Sequence, residues 1–286
     1  MKIAITGGGG LFGRGLQAAL AEEHEVVSLT HADLDITDSV GVRRVLTRIS
    51  PDLVVHTAAL PDIDHCETHP DEAQRVNVEG TQNVVTATAA LGAGLAHIST
   101  DAVFDGKKST PYIETDATNP ISVYGRSKLD AELAVQEYER HWIFRVSVLF
   151  GPGKTNFVSK AVARVRSGQK HLAASDQLGS ATYTLDASRK ILEVVEAKKY
   201  GLYHLCNSGP CTRTELAEQA IIDVGMNPGM IEGVPGDTMG RPGPRLKYAV
   251  MEMRALRKAG FEPPRPWQDA LKDYIAKYES SHGKCE

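Results

Sequence analysis

The sequence predicts a doubly wound α/β fold, a parallel sheet with helices on both faces, followed by a smaller α/β cap. Three observations predict it. Short apolar runs alternate with amphipathic segments through the first half of the chain, which implies βαβ crossovers. The runs are continuously apolar, as in strands covered on both faces. A cluster of glycines, Gly7 to Gly10 with Gly13 and Gly15, punctuates the first junction between run and segment.

Taken in order, residues 2–6 read as a buried strand ending in glycine, and 11–21 as a helix. Residues 25–29 form the second strand. The amphipathic stretch 40–49 is a helix stopped by Pro51, and 53–56 is the third strand. One long helix is expected over 72–91, ending at Gly92. Strand 95–99, helix 123–140 and strand 142–146 follow. Past residue 150 the pattern loosens: helices over 156–166, 185–197, 215–224 and 267–278, a strand at 201–205, and an irregular stretch at 225–245 rich in Gly and Pro. The expected division is a dinucleotide-binding domain over 1–150, with the chain returning to it around 182–206, and a mainly substrate-binding cap over 151–286.

Composition excludes several classes. The 286 residues carry 32 Lys+Arg against 36 Asp+Glu, a formal net charge of -4, so no basic surface points to nucleic acid or an anionic membrane. Aromatics at 6% argue further against a base-stacking platform. No apolar run approaches the ~18 residues that span a bilayer. Met1-Lys2 leads directly into a strand, so no secretory signal is expected. Cys66, Cys206, Cys211 and Cys285 show no CxxC and no framework spacing, which favours a reduced, cytoplasmic setting.

Gly7, Gly10 and Gly13 stand in G-x-x-G-x-x-G spacing, directly after a strand and before a helix. Glycine there permits a tight turn and close approach of backbone to a pyrophosphate, and the helix N-terminus favours the anion. The plainer alternative is a flexible turn. The strand–turn–helix context favours the Rossmann-type cofactor site. The second strand ends Leu29-Thr30-His31-Ala32 without a carboxylate for a ribose 2′-hydroxyl; Asp33 and Asp35 come later. No cluster of Arg or Lys announces a 2′-phosphate, although Arg14 opens the helix. The cofactor is NADPH or NADH, with a lean to NADPH.

Tyr124 and Lys128, four residues apart, share one face of a helix. An ammonium near a phenol lowers its pKa, which suits a proton donor to a developing alkoxide. The alternative is a solvated helix face. Position between the fourth and fifth strands of a dinucleotide-binding fold adds weight to the catalytic reading.

On these motifs the chain resembles the extended short-chain dehydrogenase/reductase superfamily nearly end to end. Thr6 to Gly13 matches the cofactor loop, His56-Thr57-Ala58-Ala59 the end of the third strand, and Asn77 the helix asparagine. Within it, the chain is most similar to the dTDP-4-dehydrorhamnose reductase family. The specific strings are residues 97–106, 114–128, 156–158, 176–180 and 266–271. The resemblance implies Thr100, Tyr124 and Lys128 as catalytic residues. It implies a cofactor site of Gly7, Gly10, Leu11, Phe12, Gly13, Asp35, Ile36, Ala58, Ala59, Asn77, Tyr124 and Lys128, with Asp35 and Ile36 near the adenine. It implies substrate contacts from Thr100, Ala102, Val148 and Asn156. The expected reaction is NAD(P)H-dependent reduction of a nucleotide-linked 4-keto-deoxysugar, dTDP-4-dehydro-L-rhamnose to dTDP-L-rhamnose. The departures fall at the substrate end: Ala102 where the family usually has Tyr, Val148 for Trp, and Pro61 for a frequent Thr. They keep two alternatives open, another sugar-nucleotide reductase or epimerase of the superfamily, and a non-catalytic cofactor-binding regulatory subunit.

Residues 62–69, Asp-Ile-Asp-His-Cys-Glu-Thr-His, carry metal-ligand types at His65, Cys66 and His69. A polar loop entering the helix near Pro70 is the favoured reading, and no metal is expected. Two basic groups, Arg164, Arg166 and Lys170 on the one hand and Arg241 and Arg245 on the other, could meet a diphosphate or lie in solvent. A homodimer is compatible with the resemblance, and the sequence selects no oligomeric state.

Overall fold

The computed structural model describes residues 1–282, so Cys285 lies outside the described residues. Strands β1 (Lys2–Thr6), β2 (Glu25–Leu29), β3 (Leu53–His56), β4 (Gly94–Thr100) and β5 (His141–Val146) form a sheet that is parallel throughout. Helices α1 (Leu11–Leu20) and α2 (Ser39–Ile49) make the first crossovers. The predicted doubly wound α/β fold is the observed one. Side chains alternate between two cores. Ile3 and Ile5 pack on one face with Phe12, Leu16 and Phe144, while Ala4 packs on the other with Val42, Leu46 and Val84. That two-faced burial is why these strands read as unbroken apolar runs.

A later segment extends the sheet. Strands β6 (Val148–Phe150), β7 (His171–Ala174) and β8 (Leu178–Tyr183) with α7 (Phe157–Arg166) leave it, and α8 (Thr184–Glu196) then leads to β9 (Gly201–His204) beside β5. The order is β2-β1-β3-β4-β5-β9. The chain reverses direction between β1 and β3, the switch point where such sheets open a crevice at the strands' carboxyl ends.

The expected single helix over 72–91 is corrected. Residues 63–91 form α3 (Ile63–Thr68), α4 (Pro70–Ala73), a π-helical turn (Gln74–Glu79) and α5 (Gly80–Leu91). The catalytic-pair helix, α6 (Val123–Gln136), ends four residues earlier than expected. Residues 201–282 add β10 (Pro210–Thr212), α9 (Arg213–Asp223), β11 (Ile231–Val234), β12 (Tyr248–Ala249), α10 (Arg254–Lys258) and α11 (Trp267–His282). The stretch 225–245, expected to be irregular, contains β11 paired with β7. Strand β8 pairs with β6, β10 and β12, and α7, α9 and α11 close a third core around Phe150, Tyr183 and Trp267.

Candidate active site

The first glycine turn meets the geometric demand of a phosphate cradle. Gly7 has φ +72°, and a Cβ there would lie 2.6 Å from the Ala58 nitrogen. A Cβ on Gly13 would lie 2.5 Å from the Gly7 carbonyl oxygen. The turn closes through Gly10 N–H to Gly7 O, 2.8 Å. Helix α1 then starts with no side-chain cap and no acidic residue in its first turn, so its N–H groups and dipole are open to an anion. Ala58 and Ala59, half-buried, follow β3 against this turn, and the Thr57 hydroxyl donates to Thr6 O at 2.7 Å. Leu11 is half-buried, whereas the Phe12 ring belongs to the core, leaving its backbone as the part facing the turn. These residues fit a dinucleotide pyrophosphate.

At the adenine end, Asp35 is exposed and accepts from the Thr37 N–H and hydroxyl, while Ile36 is buried under α5. The Asp33 carboxylate turns back onto the Thr30 N–H and hydroxyl, and these hydrogen bonds hold its pKa below the usual range. Asn77 lies on the π turn, buried. Its Oδ1 accepts Leu60 N–H at 2.7 Å, and its Nδ2 donates to Leu60 O and to Ser127 Oγ. It thereby ties the loop after β3 to α6. The wider π turn places a saturated side chain between two elements, as such turns often do at sites.

Tyr124 and Lys128 both sit on α6. Ser122 caps this helix, accepting Gly125 N–H at 3.0 Å. Gly125 permits its close approach, since a Cβ there would lie 2.1 Å from the Ala102 carbonyl oxygen. Thr100 ends β4. Its hydroxyl donates to Asp101 Oδ1 at 3.0 Å and accepts the Ala102 N–H at 3.1 Å, and it lies beside the Tyr124 phenol, whose pKa it draws down. Thr100, Tyr124 and Ala102 are thus brought together at the carboxyl edge of the sheet.

One expectation about the pair is corrected. Burial pushes the Tyr124 pKa up; the Thr100 hydroxyl opposes this, and Lys128 is not among the groups that lower it. The Lys128 ammonium instead turns back onto β4, donating to Ile98 O at 2.8 Å and to His97 Nε2 at 3.0 Å. Burial brings the Lys128 pKa down to about 8, against a partial rise from Glu132. Glu132 is itself buried and paired with Arg145 of β5, Oε2 to Nη2 2.7 Å, and accepts the Ser99 hydroxyl.

A cleft opens beside Thr100, lined among others by Asp101, Ala102, Ser147, Gln177, Arg213 and Arg245. Asp101 accepts the Ser147 hydroxyl; burial pushes its carboxyl pKa up, partly countered by Ser147 and the Arg213 charge. Arg245 is held in a two-point bond to Asp64, 3.0 and 2.9 Å. Burial presses the Arg213 pKa down, and the charges of Arg241 and Arg245 add to this. Three crowded cations favour an anion in the cleft. Sequence reading did not single out Arg213 and Ser147, because only folding brings α9 and the β5–β6 junction to Asp101.

Two expected substrate contacts are placed elsewhere. Asn156 caps α7: its Oδ1 accepts two backbone N–H groups, and its Nδ2 donates to Gly151 O and the Tyr274 hydroxyl at 3.0 and 2.9 Å. Its amide is thus engaged in holding the start of α7. Val148 packs on the cap core, and its neighbour Ser147 faces the cleft. In the 62–69 segment His65 stacks on His69 at 4.2 Å and bonds Glu72, while the Cys66 thiol donates to Leu60 O. Among the described residues no group of three or more His, Cys, Asp or Glu could hold a metal ion.

The family profile of the RmlD substrate binding domain matches residues 1–280. The chain belongs to this family. Among its members, dTDP-4-dehydrorhamnose reductase of Mycolicibacterium smegmatis is 36% identical over 96% of this chain and 85% of its own. The spore coat polysaccharide biosynthesis protein SpsK of Bacillus subtilis is 34% identical over 98% and 99%. The crystal structure of dTDP-4-dehydrorhamnose reductase from Bacillus anthracis in complex with NADP superposes with a TM-score of 0.93 at 32% identity, covering 97% of this chain and 100% of that one. This RmlD-family chain has no helix, among the described residues, long and apolar enough to cross a membrane.

Proposed function

We propose that this chain is an NADPH-dependent reductase of a nucleotide-linked 4-keto-6-deoxysugar, converting dTDP-4-dehydro-L-rhamnose to dTDP-L-rhamnose. The observation that carries the reading is the meeting of Thr100 and Tyr124 at the sheet edge, one helical turn from Lys128 and beside a cleft holding Arg213 and Arg245. The names of the family members point the same way. Gly7, Gly10 and Gly13 with the N-terminus of α1 hold the pyrophosphate, Asn77 braces the loop at the nicotinamide end, and Thr30 and His31 replace the acid that would repel a 2′-phosphate.

When bound, the dihydronicotinamide supplies a hydride to the sugar ketone. Tyr124 gives its hydroxyl proton to the carbonyl oxygen as charge develops there. Burial keeps that phenol protonated at neutral pH, which suits an acid in the reductive direction. Thr100, whose hydroxyl proton rests on Asp101 Oδ1, turns that proton to the same oxygen when the ketone arrives, its Oγ1 still held by the Ala102 N–H. Lys128 offers the N–H not used by Ile98 and His97 to the nicotinamide ribose. Arg213 and Arg245 take the diphosphate. The free, buried thiols of Cys66, Cys206 and Cys211 support a reducing, cytoplasmic setting.

The test is loss of NADPH absorbance with dTDP-4-dehydrorhamnose, wild type against Tyr124→Phe. Loss of the acid is expected to lower kcat by about 100-fold or more. Equal turnover by both proteins would remove Tyr124 from the mechanism. Ala102 in the cleft wall favours a second reading, reduction of a different nucleotide-linked ketosugar. Turnover of such a sugar with none of the rhamnose precursor would select it. Tight NADPH binding without turnover of any sugar would favour the regulatory-subunit alternative.

A further inference from the structure

Of the histidines buried in the parallel sheet, where apolar side chains are the rule, His56 and His97 stand side by side on neighbouring strands. Register places Thr6 of β1 beside His56 of β3, and His56 beside His97 of β4. All three are buried, and the two imidazoles lie 5.2 Å apart. A buried imidazole needs partners for both nitrogens.

His56 has them. Thr81 gives its single hydroxyl proton to Asn77 O at 2.6 Å, so at Thr81 Oγ1 it is His56 Nε2–H that donates, 3.0 Å. His56 Nδ1 therefore accepts the Thr6 hydroxyl at 2.7 Å. This neutral ring links the strand before the glycine turn to the helix of Asn77.

His97 is different. Its Nε2 lies 3.0 Å from Lys128 Nζ. An ammonium only donates, so Nε2 accepts and the ring proton sits on Nδ1. Among the described residues Nδ1 has no hydrogen-bond partner. Filling space between β3 and β5 would be served better by an apolar residue, which leaves no polar group unpaired. Among the described residues the one hydrogen-bond partner of the imidazole is Lys128.

The ammonium has three N–H donors. One goes to Ile98 O and one to His97 Nε2, which leaves one for a ligand. We propose that His97 is a positioning residue that, as a neutral acceptor on the strand behind α6, fixes the Lys128 ammonium so that its remaining N–H serves the cofactor ribose. This deepens the reductase reading and rests on it only for the role of Lys128. Charged and titratable groups facing Lys128 are His97 and His56 from the strands and Glu132 on its own helix, the last held by Arg145 of β5. Burial and the Lys128 charge both hold the two histidines well below their usual pKa, so they stay neutral acceptors while the lysine is charged.

The test measures NADPH affinity by fluorescence, without sugar, in His97→Leu, His97→Gln and His97→Asn. The Gln amide oxygen reaches the place of Nε2; Leu offers no acceptor, and the Asn amide is too short to reach Lys128. Loss of a hydrogen bond to a charged group predicts about tenfold weaker NADPH binding in the Leu and Asn variants, with Gln near wild type. The basic limb of kcat/KM should move to lower pH in the same two variants. In a Lys128→Met background His97→Leu should change NADPH affinity no further. Equal effects of His97→Leu with and without Lys128, or a Gln variant as impaired as Leu, would overturn the proposal in favour of packing. Should His97→Leu not fold, the comparison of Asn with Gln decides in the same way. NADPH binding is read without substrate, so an incorrect sugar assignment leaves the result standing.

Discussion

Removing Arg145 should destabilise this protein more than removing any exposed charge. Its guanidinium lies 4% exposed against a fully buried Glu132, joined by Nη2 to Oε2 at 2.7 Å and Nε to Oε1 at 2.9 Å. The guanidinium also lies over the Phe104 ring, 5.1 Å from its centroid. Arg145→Met keeps much of the volume and leaves the Glu132 carboxylate bonded to the Ser99 hydroxyl alone, with only the more distant charge of Lys128 facing it. An uncompensated buried charge costs about 3–5 kcal/mol, whereas replacing a whole buried pair by apolar groups is often near neutral. An unfolding entropy of about 2 cal/mol/K per residue over 286 residues makes each 1 kcal/mol worth about 1.7 °C. Arg145→Met should therefore lower Tm by about 5–8 °C, and Glu132→Met with Arg145→Met should recover most of that loss. Differential scanning calorimetry reads both. Because Glu132 sits one turn beyond Lys128 on α6, NADPH affinity should weaken in the single variant and recover in the double. A Tm within about 1 °C of wild type for Arg145→Met, or equal losses in single and double variants, would refute the reasoning.

Lys128, with its pKa brought down to about 8 by burial, loses its charge as pH rises through that value, so kcat/KM should fall on the basic side with a midpoint near pH 8; a profile flat to about pH 10 would deny the ammonium a role. His56 and His204, at about 3, and His97, well below its usual value, are neutral when folded and bind protons on unfolding below pH 6.5. The unfolded state holds more protons there, so stability falls with pH from about 6.5 toward 3, by up to about 4 kcal/mol per pH unit if all three titrate, and a Tm series against pH checks it. Gly7→Ala forces a side chain into φ +72° and to 2.6 Å from the Ala58 nitrogen, and should weaken NADPH binding at least about tenfold; unchanged affinity by titration would show that the turn can give.

The first half of the fold was legible because its physics is local. Ile3-Ala4-Ile5 and Val54-Val55 are apolar on both faces, and the helices between them carry their own stop signals at Pro51 and Gly92. The cap was less legible. Strand β8, Leu-Gly-Ser-Ala-Thr-Tyr, is small and polar, and its partners β6, β10 and β12 are short strands from distant parts of the chain. The helix expected over 72–91 concealed the π turn, since a one-residue widening leaves the apolar pattern nearly unchanged. The Tyr124 and Lys128 spacing placed both on α6, but the direction of the ammonium depends on His97, thirty-one residues upstream on β4. A histidine inside an apolar strand reads as core until its neighbour is known. The capping of α7 by Asn156 was equally hidden, since its Nδ2 partner Tyr274 lies 118 residues away.

The departures at the substrate end follow from which atoms of position 102 the site uses. The Ala102 N–H fixes the Thr100 hydroxyl, and the Ala102 carbonyl is what Gly125 of α6 packs against. Both contacts are made by backbone, so the side chain at 102 can change from an aromatic ring to a methyl without moving Thr100 or the helix of Tyr124. The hydride side is braced from behind the sheet, by Lys128 on Ile98 and His97, by Asn77 on Leu60 and Ser127, and by Glu132 on Arg145. The cleft side is walled by separate elements, Arg213 on α9 and Arg245 beyond β11. The two halves of the site meet at Asp101, which bonds both Thr100 and Ser147, so a change confined to the side chain at 102 leaves the proton donor and its support in place.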